Sequence, residues 1–412
     1  MGRPMLAVID VECYYSKDFS LSKMTPEEYI RDERFQLLGC AVQPEGKRAK
    51  YITGNTHQEI VSKLQKIKWG NVVCVAHNNI GFDSLVLTHH VGVYPAFWGC
   101  TLSMARQIHG ARGNSLGALA EKYGLPRKES EKLESVKGKR LEDLTPQDQK
   151  NMAEYGAADA ELCHALFHLM RAKIPGRDMQ MIHWFIRMFA EPRLKLDGAS
   201  YQRWADQMVK AKEQLLDNLG LTQKELRSNP KFAELMRSEG IEPPVKISAR
   251  TGKETYAFAK TDREMMDLLE HPNERVQALV EARVKTKTSI EQTRAERFVG
   301  IARRGRLPVP LLYGVTHTLR AAGSGKINLQ NLGKGKTPKG STLPGSLMVT
   351  PNGIRTFQEL RGLEEPNDNK LCLTGEDDVF ATKEVHLFNL RDGIMAPGGY
   401  RLVVIDSSNI EL

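Results

Sequence analysis

The rhythm of apolar and polar positions changes twice along the chain. In the first 170 residues, short apolar runs at 6–9 (LAVI), 35–42 (FQLLGCAV) and 72–76 (VVCVA) alternate with polar stretches and with helical spacing, notably at 115–123 and 147–170. Brief apolar runs bounded by turns predict strands, and a 3.6-residue spacing predicts helices. Their alternation predicts an α/β fold, a mixed sheet with helices against it. Residues 14–34 read as a polar loop or short helix. Between 176 and 306 strand signals vanish except at 245–258, where Thr251-Gly252 predicts a hairpin turn. The rest of that stretch reads as long polar helices, such as 199–219 and 274–302. Residues 307–412 are loop-rich, with a Gly/Pro/Lys linker at 334–344 and a hairpin signal at Asn352-Gly353. The chain closes on a predicted strand, YRLVVI at 400–405.

Composition narrows the classes. A chain of 412 residues exceeds one core and predicts two or three domains. With 41% hydrophobic and 26% charged residues, chain-wide disorder is excluded. No apolar run is long enough to span a membrane, and MGRPMLAVID is not organised as a signal peptide. Lys and Arg outnumber Asp and Glu by 59 to 50, a net charge of +9, which suggests a polyanionic partner. Between 283 and 306, eight basic residues (Arg283, Lys285, Lys287, Arg294, Arg297, Arg303, Arg304, Arg306) face only Glu291 and Glu296. This one-sided run predicts a phosphate-tracking face. The cysteines at 13, 40, 74, 100, 163 and 372 are too widely spaced for a CxxC pair and read as reduced core thiols.

Candidate chemistry lies in three segments. Asp10 and Glu12 follow LAVI at i, i+2, so on a strand they share a face, and two carboxylates so close call for a cation. AHNNIGFDSLVL carries Asn79, Phe82 and Asp83 where a strand runs into a helix. EYGAADAELCHALF carries Tyr155 and Asp159 at i, i+4, on one helical face. Singly each has an ordinary explanation: a turn-forming aspartate, an asparagine cap at 78 or 79, an acid at a helix N-terminus.

Together, DxE, NxxxFD and YxxxD resemble the DEDD superfamily of 3′–5′ exonucleases. Tyr155 points to the DEDDy branch found in proofreading domains of DNA polymerases. The resemblance implies a ribonuclease H-like domain and two divalent ions, Mg²⁺ or Mn²⁺. Asp10 would bridge them, with Glu12 and Asp159 beside it and Asp83 holding the second ion through water. Tyr155 would orient the attacking water. Phosphodiester hydrolysis suits such a set, because hard cations prefer oxygen ligands.

Later segments resemble family A (DNA polymerase I-like) enzymes, bacteriophage ones in particular: 243–262, 289–302, 307–332 and LRDGIMAPGGYRLVVIDSSNIEL at 390–412. The resemblance implies an exonuclease domain at 1–175, a helical thumb at 176–306 and a partial α+β palm at 307–412. A β-rich insertion at about 334–389 reads as an ordinary insertion on the palm, with a weak resemblance to the first lobe of an intein-like domain as the alternative. Asp406 matches the palm aspartate that binds metal, Ser407 supplies its carbonyl, and Glu411 matches the residue that selects deoxynucleotides. Arg320, Asn328, Gln330 and Asn331 match positions touching primer or template; Arg294 and Arg297, in the basic run, are expected to contact duplex. THTLRAAG departs from the family's usual pattern there, which puts the primer contacts in doubt. The expected partners are single-stranded 3′ ends, primer–template duplex and a C-terminal polymerase fragment in trans, in the cytoplasm of a phage-infected bacterium. With one palm carboxylate, polymerisation by this chain alone is not expected. The alternatives are a silent DNA-gripping subunit and a free-standing exoribonuclease.

Overall fold

The first strand is longer than its apolar run. β1 spans Met5–Cys13, so Asp10 and Glu12 lie inside the strand rather than after it. Alternation past Val8 carries the extension: Ile9, Val11 and Cys13 are buried on one face, which puts Asp10 and Glu12 on the other. The computed structural model describes residues 4–126, 135–248, 251–259, 261–287, 290–316, 321–332, 347–350, 353–356, 372–374, 378–380 and 386–402. They divide into two compact units, drawn from Met1–Lys195, Arg304–Leu332 and Ala396–Leu412 in one and from Leu196–Arg303 and Gly333–Met395 in the other.

In the first unit β1 is the centre of a five-stranded sheet of order β3-β2-β1-β4-β5. β2 (Leu37–Pro44) and β3 (Lys50–Ile52) run antiparallel on one side. β4 (Val72–Ala76) and β5 (Phe97–Cys100) run parallel on the other. β4 pairs with β1 only from Met5 to Val8, whereas β2 follows it as far as Cys13. Past Val8, β1 therefore has no strand on its β4 side.

Among the described residues, seven α-helices surround the sheet: α1 (Pro26–Ile30), α2 (His57–Gln65), α3 (Asp83–Val86, continuing as a π turn over Leu87–Val91), α4 (Thr101–His109), α5 (Leu116–Lys122), α6 (Pro146–Arg171) and α7 (Gly176–Ala190). α6 starts at a reciprocal cap. Thr145 Oγ1 accepts from the Asp148 amide, the Asp148 carboxylate accepts from the Thr145 amide, and Pro146 takes the first helical position. The 14–34 stretch is less polar in effect than expected, because Phe19, Tyr29 and Ile30 are buried in the core.

Two glycines let α6 settle on the acidic face of the sheet. Ala41 is paired with both Asp10 and Tyr51, so all three point the same way. A Cβ on Gly156 would stand 3.0 Å from Tyr51 Cε2 and 3.6 Å from the Ala41 Cβ. Gly39, opposite Glu12, lies under the Tyr51 phenol, and a Cβ there would overlap the hydroxyl and ring edge. Tyr51 is thus a wedge between strand and helix. Gly39→Ala is expected to cost about 1–3 kcal/mol through overpacking, read from the urea midpoint. Adding Tyr51→Leu should recover part of that loss. A double variant no more stable than Gly39→Ala would show that the wedge is not the cause.

α7, just beyond the expected boundary at 175/176, packs against β5, and its Met179, Ile182, Phe185, Ile186 and Phe189 share the sheet's core. Residues 307–313 return to the same unit. Val309 donates its amide to the Met188 carbonyl, and the Tyr313 hydroxyl donates to Asp178. Cys13, Cys40, Cys74, Cys100 and Cys163 are buried and free of disulfides.

The second unit is mainly helical: α8 (Gly198–Leu219), α9 (Gln223–Arg227), α10 (Asn229–Ser238), α11 (Arg263–Asp267), α12 (Glu274–Lys287) and α13 (Ile290–Arg304). The hairpin anticipated at Thr251-Gly252 is present, Val245–Ile247 pairing antiparallel with Glu254–Tyr256, and Gly252 supplies the positive φ of +66°. Leu347–Thr350 pairs with Gly353–Thr356, the second expected hairpin. The linker at 334–344 lies outside the described residues. Residues 400–402 have no regular structure, against the strand expected at 400–405, whose last three positions are outside the described set.

Candidate active site

The four carboxylates come from three elements that the sheet brings to one end of β1. Where β4 stops, the chain turns through His77–Phe82 and starts α3 at Asp83. Asn78 makes the turn possible by adopting a left-handed φ of +66°. Asn79 is fully buried, and its side-chain amide donates to the Gly99 carbonyl at 2.8 Å, which fixes the loop to β5. Ser84 ties the same loop by donating to the Asn79 carbonyl at 2.6 Å. The result puts Asp83 against β1. Its Oδ1 accepts from the Val11 amide at 3.3 Å, the donor between Asp10 and Glu12 that has no β4 partner.

α6 covers the same face from the other side, and presents Tyr155 half-buried and Asp159 buried, 4% exposed. The electrostatics report the convergence. Burial first, then the charges of Glu12, Asp83 and Asp10, push the Cys13 thiol well up. Burial, with Asp10 and Asp83 adding to it, does the same to Cys163, one turn beyond Asp159 on α6. Burial, then Glu12, Cys40 and Asp10, raises Tyr51, whose hydroxyl is buried without a hydrogen-bond partner. The Asp83 carboxyl is pushed up to about 7 by burial, against the opposing backbone hydrogen bonds.

An all-oxygen donor set fits hard divalent cations. No three of these carboxylates bring their oxygens within 4.8 Å of one another; among the described residues only Glu45, His164 and His168 form a group that tight. Two ions about 4 Å apart need a wider ring of ligands than one ion does.

Phe82 is half-buried beside this face, its ring 5.9 Å from Tyr29, which stacks on Phe19 at 4.5 Å. A cleft of about 430 Å³ lies along α3 two residues past Asp83, and its lining includes Arg31, His89, Tyr94, Arg193, Arg304 and Arg306. Glu27 neutralises part of this charge through Arg31 at 3.2 Å and Arg304 at 2.6 Å. Sequence reasoning missed Tyr51, Arg31 and Arg193. A lone basic residue carries no signal, and an edge-strand tyrosine reads as packing.

The basic run at 283–306 is not one face. Arg283 is fully buried, stacked between Phe232 and Phe258 at 4.9 and 5.4 Å, and donates to the Leu226 carbonyl and Asn229 side chain. Burial lowers its pKa to about 10. Arg304 is committed to Glu27. Arg294 and Arg297 are half-buried on α13, and Arg303 is exposed. Asn328 accepts from the Gln330 amide at 3.0 Å within its own turn, and Gln330 and Asn331 are exposed. Arg320, Asp406, Ser407 and Glu411 lie outside the described residues.

An acidic face at the end of a mixed sheet, closed by a Tyr/Asp helix, is the candidate site. Residues 25–175 match the family model of the 3′–5′ exonuclease domain of family A DNA polymerases, a stretch that holds Asp83, Tyr155 and Asp159 and begins after Asp10 and Glu12. No curated protein matches the chain. Among solved structures, the POL domain of Pol1 from M. smegmatis, in complex with DNA primer-template and dNTP, is 16% identical with a TM-score of 0.48. That alignment covers 84% of this chain and 57% of the Pol1 chain, so this chain spans little more than half of it. Brucella melitensis NrnC with bound Mg²⁺ is 18% identical with a TM-score of 0.32, covering 44% of this chain and 81% of NrnC. No described helix is long and apolar enough to cross a membrane.

Proposed function

We propose that the first unit is a metal-dependent 3′–5′ exonuclease that removes nucleotides from single-stranded DNA ends, the proofreading activity of a family A DNA polymerase. The observation that carries this reading is Asp83 accepting from Val11, between Asp10 and Glu12, on the face that α6 closes with Tyr155 and Asp159. Divalent ions held by Asp10, Glu12, Asp159 and Asp83 would activate a water and stabilise the departing 3′-oxygen. Tyr155 would orient that water through its hydroxyl. Phe82 offers an apolar wall to the terminal base. Arg193 and Arg306 offer phosphate contacts in the cleft beyond Asp83. The same reading takes 176–306 as a duplex-gripping thumb and 307–412 as palm, with the insertion at about 334–389 on it.

The test is a ladder assay on a 5′-labelled single strand with Mg²⁺ or Mn²⁺, run with DNA and RNA of one sequence. Stepwise shortening from the 3′ end of DNA is expected, abolished by chelator. Loss from the 5′ end, or no loss at all, would reject the reading, and preference for RNA would favour an exoribonuclease. Tyr155→Phe should slow the reaction about 10- to 100-fold, the worth of one positioning hydrogen bond of about 1.5–3 kcal/mol.

A further inference from the structure

We propose a second metal site, for a borderline transition-metal cation with Zn²⁺ foremost, formed by Glu45, His164 and His168. The two histidines are at i, i+4 on α6 and lie side by side, ring centroids 4.6 Å apart. His164 Nε2 stands 3.1 Å and His168 Nε2 3.2 Å from the same atom, Glu45 Oε2. Metal–ligand bonds of about 2.0–2.1 Å at tetrahedral angles give ligand–ligand edges of about 3.3–3.4 Å. The carboxylate oxygen therefore needs to move only a few tenths of an ångström from each nitrogen, and all three donors lie within 4.8 Å of one another. Two imidazoles and one carboxylate suit Zn²⁺, unlike the all-oxygen set around Asp10.

The site is held in place before any ion arrives. Glu45 is anchored by its own amide, which donates to the Leu6 carbonyl at 2.9 Å, and Gly46 turns the chain after it with a φ of +70°. His164 lies five residues beyond Asp159, about 7.5 Å along the helix and about 140° around it, and so faces away from the exonuclease carboxylates. Three protein ligands leave one position for water or a small anion. Glu45 and His168 also line a cleft of about 790 Å³ whose walls include Phe97, Phe167 and Met179. An ion here would tie the second half of α6 to the turn after β2.

The probe is Zn²⁺ by calorimetry, and Co²⁺ by visible absorption, on untagged, metal-free full-length protein carrying Asp10→Ala and Glu12→Ala. The wild-type chain in excess Mg²⁺ is the parallel sample, should that double variant fail to fold. One equivalent of Zn²⁺ and an intense tetrahedral Co²⁺ spectrum are expected. His168→Ala should weaken Zn²⁺ binding by more than about 100-fold, beyond the 10- to 100-fold typical of losing an outer partner, with circular dichroism unchanged. A weak octahedral Co²⁺ spectrum, no binding, or unchanged binding in both His164→Ala and His168→Ala would overturn the site and leave the trio as an ion pair only.

Discussion

Protein with Asp10→Ala and Glu12→Ala together is expected to release no nucleotides above background, a loss of about 10⁴-fold or more. The two residues share the face that α6 covers, and in the proposed mechanism they hold the ions responsible for several kcal/mol of charge stabilisation. Both positions are half-buried rather than part of the buried core. Thermal denaturation should therefore show an intact fold. Two like charges disappear from a crowded site, so the metal-free variant should melt no lower than the parent. Unchanged degradation of a labelled strand would remove Asp10 and Glu12 from the mechanism.

Asp83→Asn is expected to separate activity from stability. The folded carboxyl ionises near 7 because it is buried, while in the unfolded chain it ionises near 3.9. Below pH 4 both states hold the proton and there is no penalty. Between pH 4 and 7 the unfolded state alone ionises, so stability falls as pH rises. Above 7 the folded state bears the full cost, a few kcal/mol in the absence of metal. Asparagine keeps an acceptor for the Val11 amide and carries no charge. In chelator, the variant should match the parent near pH 4 and exceed it near pH 8, while its Mg²⁺-dependent activity falls about 10²- to 10³-fold. Parallel stability curves for the two proteins would rule out burial as the source of the shift.

The sheet and the placement of the three acidic segments were legible because they rest on local pattern. VVCVA is a strand, residues 147–170 lie in a single helix, and the DxE, NxxxFD and YxxxD segments fall on three elements of one unit. What escaped depends on long-range partners. Arg283 stands in a basic run, and only Phe232, Phe258 and the Leu226 carbonyl, over fifty residues away for the last, make it a core residue. Arg304 is claimed by Glu27 across 277 positions. Gly39 and Gly156 looked unremarkable until Tyr51 was seen between them, although glycine inside a strand or helix signals close approach. The Glu45, His164 and His168 trio was half visible as HxxxH on α6; its carboxylate comes from a turn 119 residues earlier.

The bond between Val11 and Asp83 makes one backbone proton a witness to events in the site. Its exchange with solvent is governed by a side chain rather than by the ladder that protects its neighbours, because β4 ends three residues before it. Whatever draws the Asp83 oxygen toward a ligand loosens that proton, and whatever fixes the carboxyl in place slows it. A single amide near the end of the central strand thus keeps its own clock, set by site occupancy and not by global unfolding.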